Sequence, residues 1–434
     1  MKTCITTKKK NFYIMFIILL LLIFNSSFSA EVLTEHSLKA YLLYAREHNP
    51  AIKSAQKSVD AQESEYRLSR AIPDPTLSGG YFISEIETRV GPQKGKVGAS
   101  QMLPWPGKIA QKRKMEKHNL TSAEHMKVSV EAQVYAQIRE LYASLYATGQ
   151  SISINKENLK ILQSLESVLL AKYAAGTVKQ MDVLKIQVEI AKLEDEIKSL
   201  EAEGKKQAEE LKSLLNIGGN SKIPYPEAIA ALEVPDKQEQ IIDEIVQQNP
   251  MLKNAHHQTE AAGSGVALAR QQFAPDFMIM TDYMFTDESS MDVPDNGKDP
   301  WVIGASVTLP IWAGTKADRV KKAEAVREMK KATRDDIENR LIAQGVALHE
   351  NYRDAQRKVS LFEKVLIPKA KQAFSLSEEA YKNTQASVID YLDAQGTLLS
   401  LEIMLAKQKA RAETAASRID MLLGGKFTME QIKG

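Results

Sequence analysis

Hydrophobic and polar positions along this chain follow two different periods. Leu341, Gly345, Leu348, Tyr352, Ala355, Val359, Phe362 and Leu366 recur at alternating steps of four and three. That spacing is a heptad seam, which predicts helices packed as a coiled coil. Phe277, Ile279, Thr281, Tyr283 and Phe285 instead alternate with Met278, Met280, Asp282 and Met284, the period of two expected of a strand with unlike faces. Around these runs the chain predicts a helix over roughly 51–71, a turn at Pro73-Asp74-Pro75, a more weakly alternating strand from Thr76 to Ile86, a polar loop, and a strand from Lys96 to Leu103. Between Pro104 and Tyr173 helix breakers occur only at Pro106-Gly107, and between Thr315 and Tyr381 only at Pro368. About 65 helical residues at a rise of about 1.5 Å reach on the order of 100 Å, several times an ordinary globular helix.

The same order of elements occurs twice. Asn49-Pro50-Ala51-Ile52-Lys53-Ser54-Ala55 returns as Asn249-Pro250-Met251-Leu252-Lys253-Asn254-Ala255, and Val97-Gly98-Ala99-Ser100 with Leu103-Pro104 returns as Ile303-Gly304-Ala305-Ser306 with Leu309-Pro310. Gly218-Gly219 returns as Gly424-Gly425. The second copy has its own helix over roughly 251–272, a turn at Ala274-Pro275-Asp276, and strands from Phe277 and from Trp301 to Leu309. We divide the chain into 1–29, a first repeat over 30–222, a Pro-containing linker over 223–235, a second repeat over 236–425 and a tail over 426–434.

The first segment reads as a secretory signal peptide: Lys2, Lys8, Lys9 and Lys10 precede an apolar run from Phe12 to Phe24, and Ser27 and Ser29 place cleavage before Ala30. The competing reading is an uncleaved anchor, for which the run is short of the roughly 20 residues that span a bilayer. Cys4 is the only cysteine, so a cleaved chain has no disulfide, thiolate metal site or lipidated cysteine. After residue 30 no apolar segment reaches spanning length, so any membrane entry must be as a β-barrel. Four strands cannot close a barrel, because about eight is the smallest common number; three chains would supply twelve.

Composition narrows the function classes. The 57 Lys and Arg nearly balance 55 Asp and Glu, and aromatics are 6% of the chain, which argues against nucleic acid as a partner and fits extended helices. No Ser-His-Asp order, Gly-rich phosphate loop or zinc-ligand spacing is present, so neither an enzyme nor a cofactor is expected. His256-His257 and the methionines at 278, 280, 284 and 291 have soft-metal donors, but adjacent helical residues point about 100° apart and Met at alternate strand positions fills barrels, so no metal site is assigned.

Four motifs in order, spanning nearly the whole mature chain, resemble the TolC-type outer-membrane factor family. They are Gln101-Met102-Leu103-Pro104-Trp105-Pro106-Gly107-Lys108 with its partner Leu309-Pro310-Ile311-Trp312; Tyr173-Ala174-Ala175-Gly176-Thr177 running to Asp182-Val183-Leu184; Ile367-Pro368-Lys369-Ala370-Lys371-Gln372-Ala373; and Tyr381 to Leu399 with Asp390-Tyr391-Leu392-Asp393-Ala394-Gln395. The first and last lean toward the heavy-metal efflux branch.

The resemblance implies a mainly α fold with a small β part. In it, long helical hairpins from a homotrimer form a periplasmic tunnel beneath a 12-stranded barrel in outer-membrane lipid. It further implies a passive efflux or secretion duct in the outer membrane, served by a periplasmic adaptor and an inner-membrane pump such as an RND transporter. Asp390 and Asp393 match the periplasmic gate, with helix capping as the alternative role, and Gly176, Thr177, Asp182, Val183, Leu184 and Thr384 match the adaptor-docking tips. Thr384 stands where the family often has Gly, and Lys185 stands where a duplicate of Asp393 would fall. The reading from another class is a soluble periplasmic coiled-coil adaptor or scaffold. The transported substrate is not written in the sequence.

Overall fold

Two Asn-Pro dipeptides show how each repeat is closed. Pro at the first helical position is preset for a helix, and the preceding Asn can cap it. A computed structural model of the protein describes residues 36–218, 221–229, 231–383 and 385–433; the segment read as a signal peptide, and Thr384, lie outside them. In the first repeat α1 (Leu38–His48) ends at Asn49 and α2 (Pro50–Leu68) begins there. The Asn49 side-chain oxygen accepts from the N–H groups of Ala51 and Ile52, while its amide donates to the Leu214 carbonyl at 2.7 Å. In the second repeat α5 (Gln238–Gln248) and α6 (Pro250–Gln271) meet at Asn249, whose oxygen accepts from Leu252 N–H and whose amide donates to the Leu422 carbonyl at 2.8 Å. Each buried Asn thus ties its repeat's first helices to the end of its last. Asn249→Ala should lower stability by about 1–2 kcal/mol, combining a lost cap with an orphaned carbonyl. Asn249→Asp, which keeps the cap oxygen but donates nothing, should fall between the two in thermal unfolding of the detergent-solubilised protein.

After α2 the chain crosses into β1 (Thr76–Thr88) and β2 (Gly91–Leu103), then α3 (Pro106–Ala174) and α4 (Gln180–Leu215). The second repeat follows α6 with β3 (Phe277–Thr286), β4 (Trp301–Val307), α7 (Ala313–Leu361), a π-helical turn (Phe362–Leu366), α8 (Ile367–Lys382) and α9 (Val388–Leu422), and a short α10 (Lys426–Lys433) closes the chain. Helix α3 has 69 residues, about 100 Å at the α-helical rise. The sheet is antiparallel in the order β1-β2-β3-β4. Beneath it α2, α3, α6 and α7 pack side by side in the same order.

Three boundaries differ from the sequence reading, each for a local reason. The expected polar loop between the first strands is a tight turn, because Thr88 pairs with Gly91, Glu87 with Pro92, and Gly91 adopts φ of +126°. The first repeat's last helix ends before Gly218-Gly219: Asn216 takes the left-handed conformation and Ile217 N–H returns to the Lys212 carbonyl. Gly424 and the Gly425 N–H bond to the Asp420 carbonyl repeat that motif in the second copy, so the geometric partner of Gly424 is Asn216. Pro368 does not break its helix. It has no N–H for the Lys364 carbonyl, and the turn before it widens, with Ile367 N–H donating to the Phe362 carbonyl. One residue is absorbed, so the buried positions below the turn are Ile367 and Ala370.

Each repeat carries its own core. Leu38, Tyr41, Leu42, Ile138, Leu211 and Leu215 cluster in the first, and Ile241, Ile245, Leu252, Leu348, Ile419 and Leu422 in the second. At heptad position 345 the glycine leaves room for Ile245, whose Cδ1 would have to shift to admit a Cβ placed 2.5 Å away. The linker crosses the first repeat through Tyr225, which lies so close to Gly149 and Gly204 that a side chain at either would collide with it.

Candidate functional site

Alternation within strands becomes one surface once the register is laid out. Pairing sets Leu77 beside Ala99, Val97 beside Tyr283, Gln101 beside Ile279 and Leu103 beside Phe277. It also sets Tyr283 beside Trp301, Thr281 beside Ile303 and Phe277 beside Val307. Because paired residues share a face, the first face collects Leu77, Tyr81, Val97, Ile279, Ile303 and Val307, with Tyr283, Phe285 and Trp301 toward one end and Phe277 at the other. These side chains are exposed, Ile303 at 71% and Leu77 at 82%. The opposite face carries Ser78, Gly80, Lys96, Gly98, Ser100, Asp282 and Ser306, together with Met278, Met280 and Met284. From Phe277 to Phe285 is about 27 Å along the strand. Strands β1 and β4 have one free edge each among the described residues.

The strand-to-helix motif sits where the sheet meets the long helices. Asp276, in the turn before β3, accepts from Trp105 N–H at 2.8 Å and forms an ion pair with Lys108 at 2.7 Å. Burial pushes this carboxyl up, but the Lys108 ammonium and the Trp105 N–H outweigh it and hold Asp276 below the usual carboxylate value. The Trp105 ring leans on Phe277 at 6.2 Å. This contact fastens the first repeat's junction to the second repeat's turn. Asp276 stood in the Ala274-Pro275-Asp276 turn, but the pattern carried no sign that its partner would be Lys108, 168 residues away.

At the far end of α3 the first hairpin turns through Gly176 at φ of +74°, a conformation that suits glycine. Thr177 donates to the Lys172 carbonyl from both its N–H and its hydroxyl, at 2.9 Å each. Asp182 lies in the first turn of α4, Val183 is buried in the hairpin core, and Leu184 is 53% exposed. Tyr173, Met181 and Val188 are exposed as well, Met181 and Val188 on the Leu184 face of α4. The second hairpin packs against the first: Val388 joins the cluster of Leu169, Val183 and Ile186, and the Lys172 ammonium lies 5.1 Å from the Tyr381 ring centre. Higher up, buried Gln395 donates to buried Asn158, holding α9 against α3.

The two aspartates stand in different settings. Asp390 completes a capping box at the start of α9: it accepts from Ser387 N–H at 2.9 Å and from the Ser387 hydroxyl at 2.7 Å, while its own N–H donates back to Ser387 Oγ. The Ser387 hydroxyl and N–H hold its carboxyl below the usual value. Asp393, one turn on, is exposed and makes no hydrogen bond or ion pair among the described residues. At the corresponding start of α4, Lys179 replaces Ser387 and gives no side-chain cap, and Lys185 replaces Asp393. The start of α4 thus mixes Lys179 and Lys185 with Asp182, whereas the start of α9 carries Asp390 and Asp393 and no basic residue.

Among the described residues no helix is long and apolar enough to cross a membrane, and no group of three or more His, Cys, Asp or Glu is arranged to hold a metal ion. Comparison with known proteins agrees with the architecture. The solvent efflux pump outer membrane protein SrpC of Pseudomonas putida is 23% identical over 427 residues, covering 92% of this chain and 88% of its own. The outer-membrane channel OprN superposes with a TM-score of 0.76 at 16% identity, over 89% of this chain and 90% of that one. The CusC channel gives 0.75 at 17%, over 90% and 93%; both likenesses establish the fold. Residues 43–217 and 241–425 each match the outer membrane efflux protein family, most of both repeats, and the chain belongs to that family.

Proposed function

We propose that three copies close a 12-stranded barrel in outer-membrane lipid above a helical tunnel through the periplasm, forming a passive duct with no catalytic step. As a family member the chain is an outer-membrane efflux channel component. The observation that carries the finer reading is the four-strand apolar face, flanked by aromatics and about as tall as the roughly 25 Å apolar band of membrane barrels. A second support is the pair of free edges on a sheet too small to close alone. The exposed Tyr173, Met181, Leu184 and Val188 offer an apolar tip to a periplasmic adaptor fed by an inner-membrane pump. Asp390 and Asp393 then form an acidic ring near the axis, where carboxylates attract cations and repel anions.

Single cysteines along β3 test this reading. Those at 277, 279, 283 and 285 should react with lipid-phase probes, those at 278, 280 and 282 with aqueous ones, and the protein should stay in the outer-membrane pellet after salt washing. Uniform aqueous labelling with release into the wash would favour the soluble adaptor or scaffold.

A further inference from the structure

Four of the chain's seven histidines meet on one side of the seam between its repeats. His118 and His125 lie two turns apart on α3, while His256 and His257 are neighbours on α6. The His257 ring stacks with His118 at 5.7 Å and with His125 at 5.4 Å, and His256 meets it edge-on at 5.4 Å. His118 Nδ1 and His257 Nδ1 are 3.4 Å apart. Both lie about 20 Å below the strand-to-helix junction, counted along their helices. Adjacency on α6 made His256-His257 visible in the sequence; only the packing of α3 on α6 brings His118 and His125 to it.

Two nitrogens 3.4 Å apart, each about 2.0–2.1 Å from a common ion, subtend roughly 110°, the tetrahedral angle of zinc. Imidazole donors select Zn2+, Cu2+ or Ni2+ over Ca2+ or Mg2+. Glu124 and Glu260 supply negative charge near the cluster.

We propose that His118 and His257 form a two-imidazole seat for a borderline divalent transition ion, clamping α3 to α6 across the two repeats. His125 and His256 flank the seat through their ring contacts with His257, and water completes the sphere. The proposal concerns a resident structural ion in the tunnel wall and is independent of what the duct carries.

Untagged channel, stripped with EDTA and held in detergent near pH 7.5, is titrated with Cu2+ and followed by calorimetry and electron paramagnetic resonance. We expect one ion per chain with nitrogen hyperfine structure, and weaker binding near about pH 5 as the imidazoles protonate. Zn2+ should raise the thermal midpoint. His257→Gln and His118→Gln should each weaken binding at least about tenfold and abolish the Zn2+ shift, whereas His48→Gln, far away on α1, changes neither. Equal midpoints in EDTA would show that the variants fold. Unchanged binding in both variants overturns the proposal. So does the absence of stoichiometric binding alongside a pH-dependent midpoint that both variants flatten, which would make the cluster a proton-responsive contact only.

Discussion

Neutralising Asp390 and Asp393 together should raise single-channel conductance several-fold in planar bilayers and weaken block by multivalent cations, with assembly intact. Three chains would place six carboxylates near the axis, and their mutual repulsion is relieved by a bound cation or a proton. The two residues divide the work. Asp390 is held by Ser387, so Asp390→Asn keeps an oxygen for the cap, whereas Asp390→Ala removes it. Asp393 has no partner among the described residues to release, so Asp393→Asn should carry most of the electrostatic change alone. Acid should mimic the double variant. A carboxyl lowered in the fold, as Asp390 is, contributes its stabilisation above the ordinary carboxylate range and loses it as pH falls through its depressed value. Conductance should therefore rise in that acid window. Unchanged conductance and cation block in an assembled double variant would leave the two aspartates as helix-start residues only.

The second large effect is expected far from the tip, at a fully buried ion pair. Arg139 on α3 contacts Glu413 on α9 at 2.7 Å and 2.8 Å, and also donates to Gln431 on α10 at 2.9 Å. Glu413 accepts from Leu232 N–H in the linker at 3.2 Å and lies within reach of Ser417. One pair thus joins the first repeat, the linker, the second repeat and the C-terminal helix. Arg139→Met strands a buried carboxylate, and should cost about 3–5 kcal/mol, read as a large fall in the thermal midpoint. Arg139→Met combined with Glu413→Leu should regain most of that loss, since an apolar pair of similar volume commonly matches a buried ion pair. A small shift in the single variant, or no recovery in the double, would show that the pair does not organise this junction.

How much of this was written in the sequence depends on the range over which each feature acts. Local chemistry was legible: the Asn-Pro starts, the alternation of β3 and the uninterrupted length of α3 depend on neighbouring residues, and each formed near where the pattern placed it. The heptad seam was legible too, since Leu341, Gly345, Leu348 and Ala355 are buried. Its shift beyond Phe362 was not, because Pro368 could equally have ended the helix. Strand β2 began earlier than expected because Pro92 and Gln93 are held by cross-strand pairing, and Lys94 by ion pairs to Glu85 and Asp287, and not by apolar alternation. Long-range partners were invisible. Arg139 and Glu413 are 274 positions apart, and His118 is 139 from His257; a single sequence carries no signal linking such pairs. At the tip, Ser387-x-x-Asp390 has the spacing of a capping box, so that part of the Asp390 environment could be read directly.

The central claim is that the four-stranded sheet is one third of a closed barrel, and the mass of the native assembly tests it most directly. Native mass spectrometry of chain extracted from outer membranes should give a single species of three mature chains. A monomer, or a ladder of open-ended oligomers, would contradict the account, since neither closes the free edges of β1 and β4 into a barrel of twelve strands.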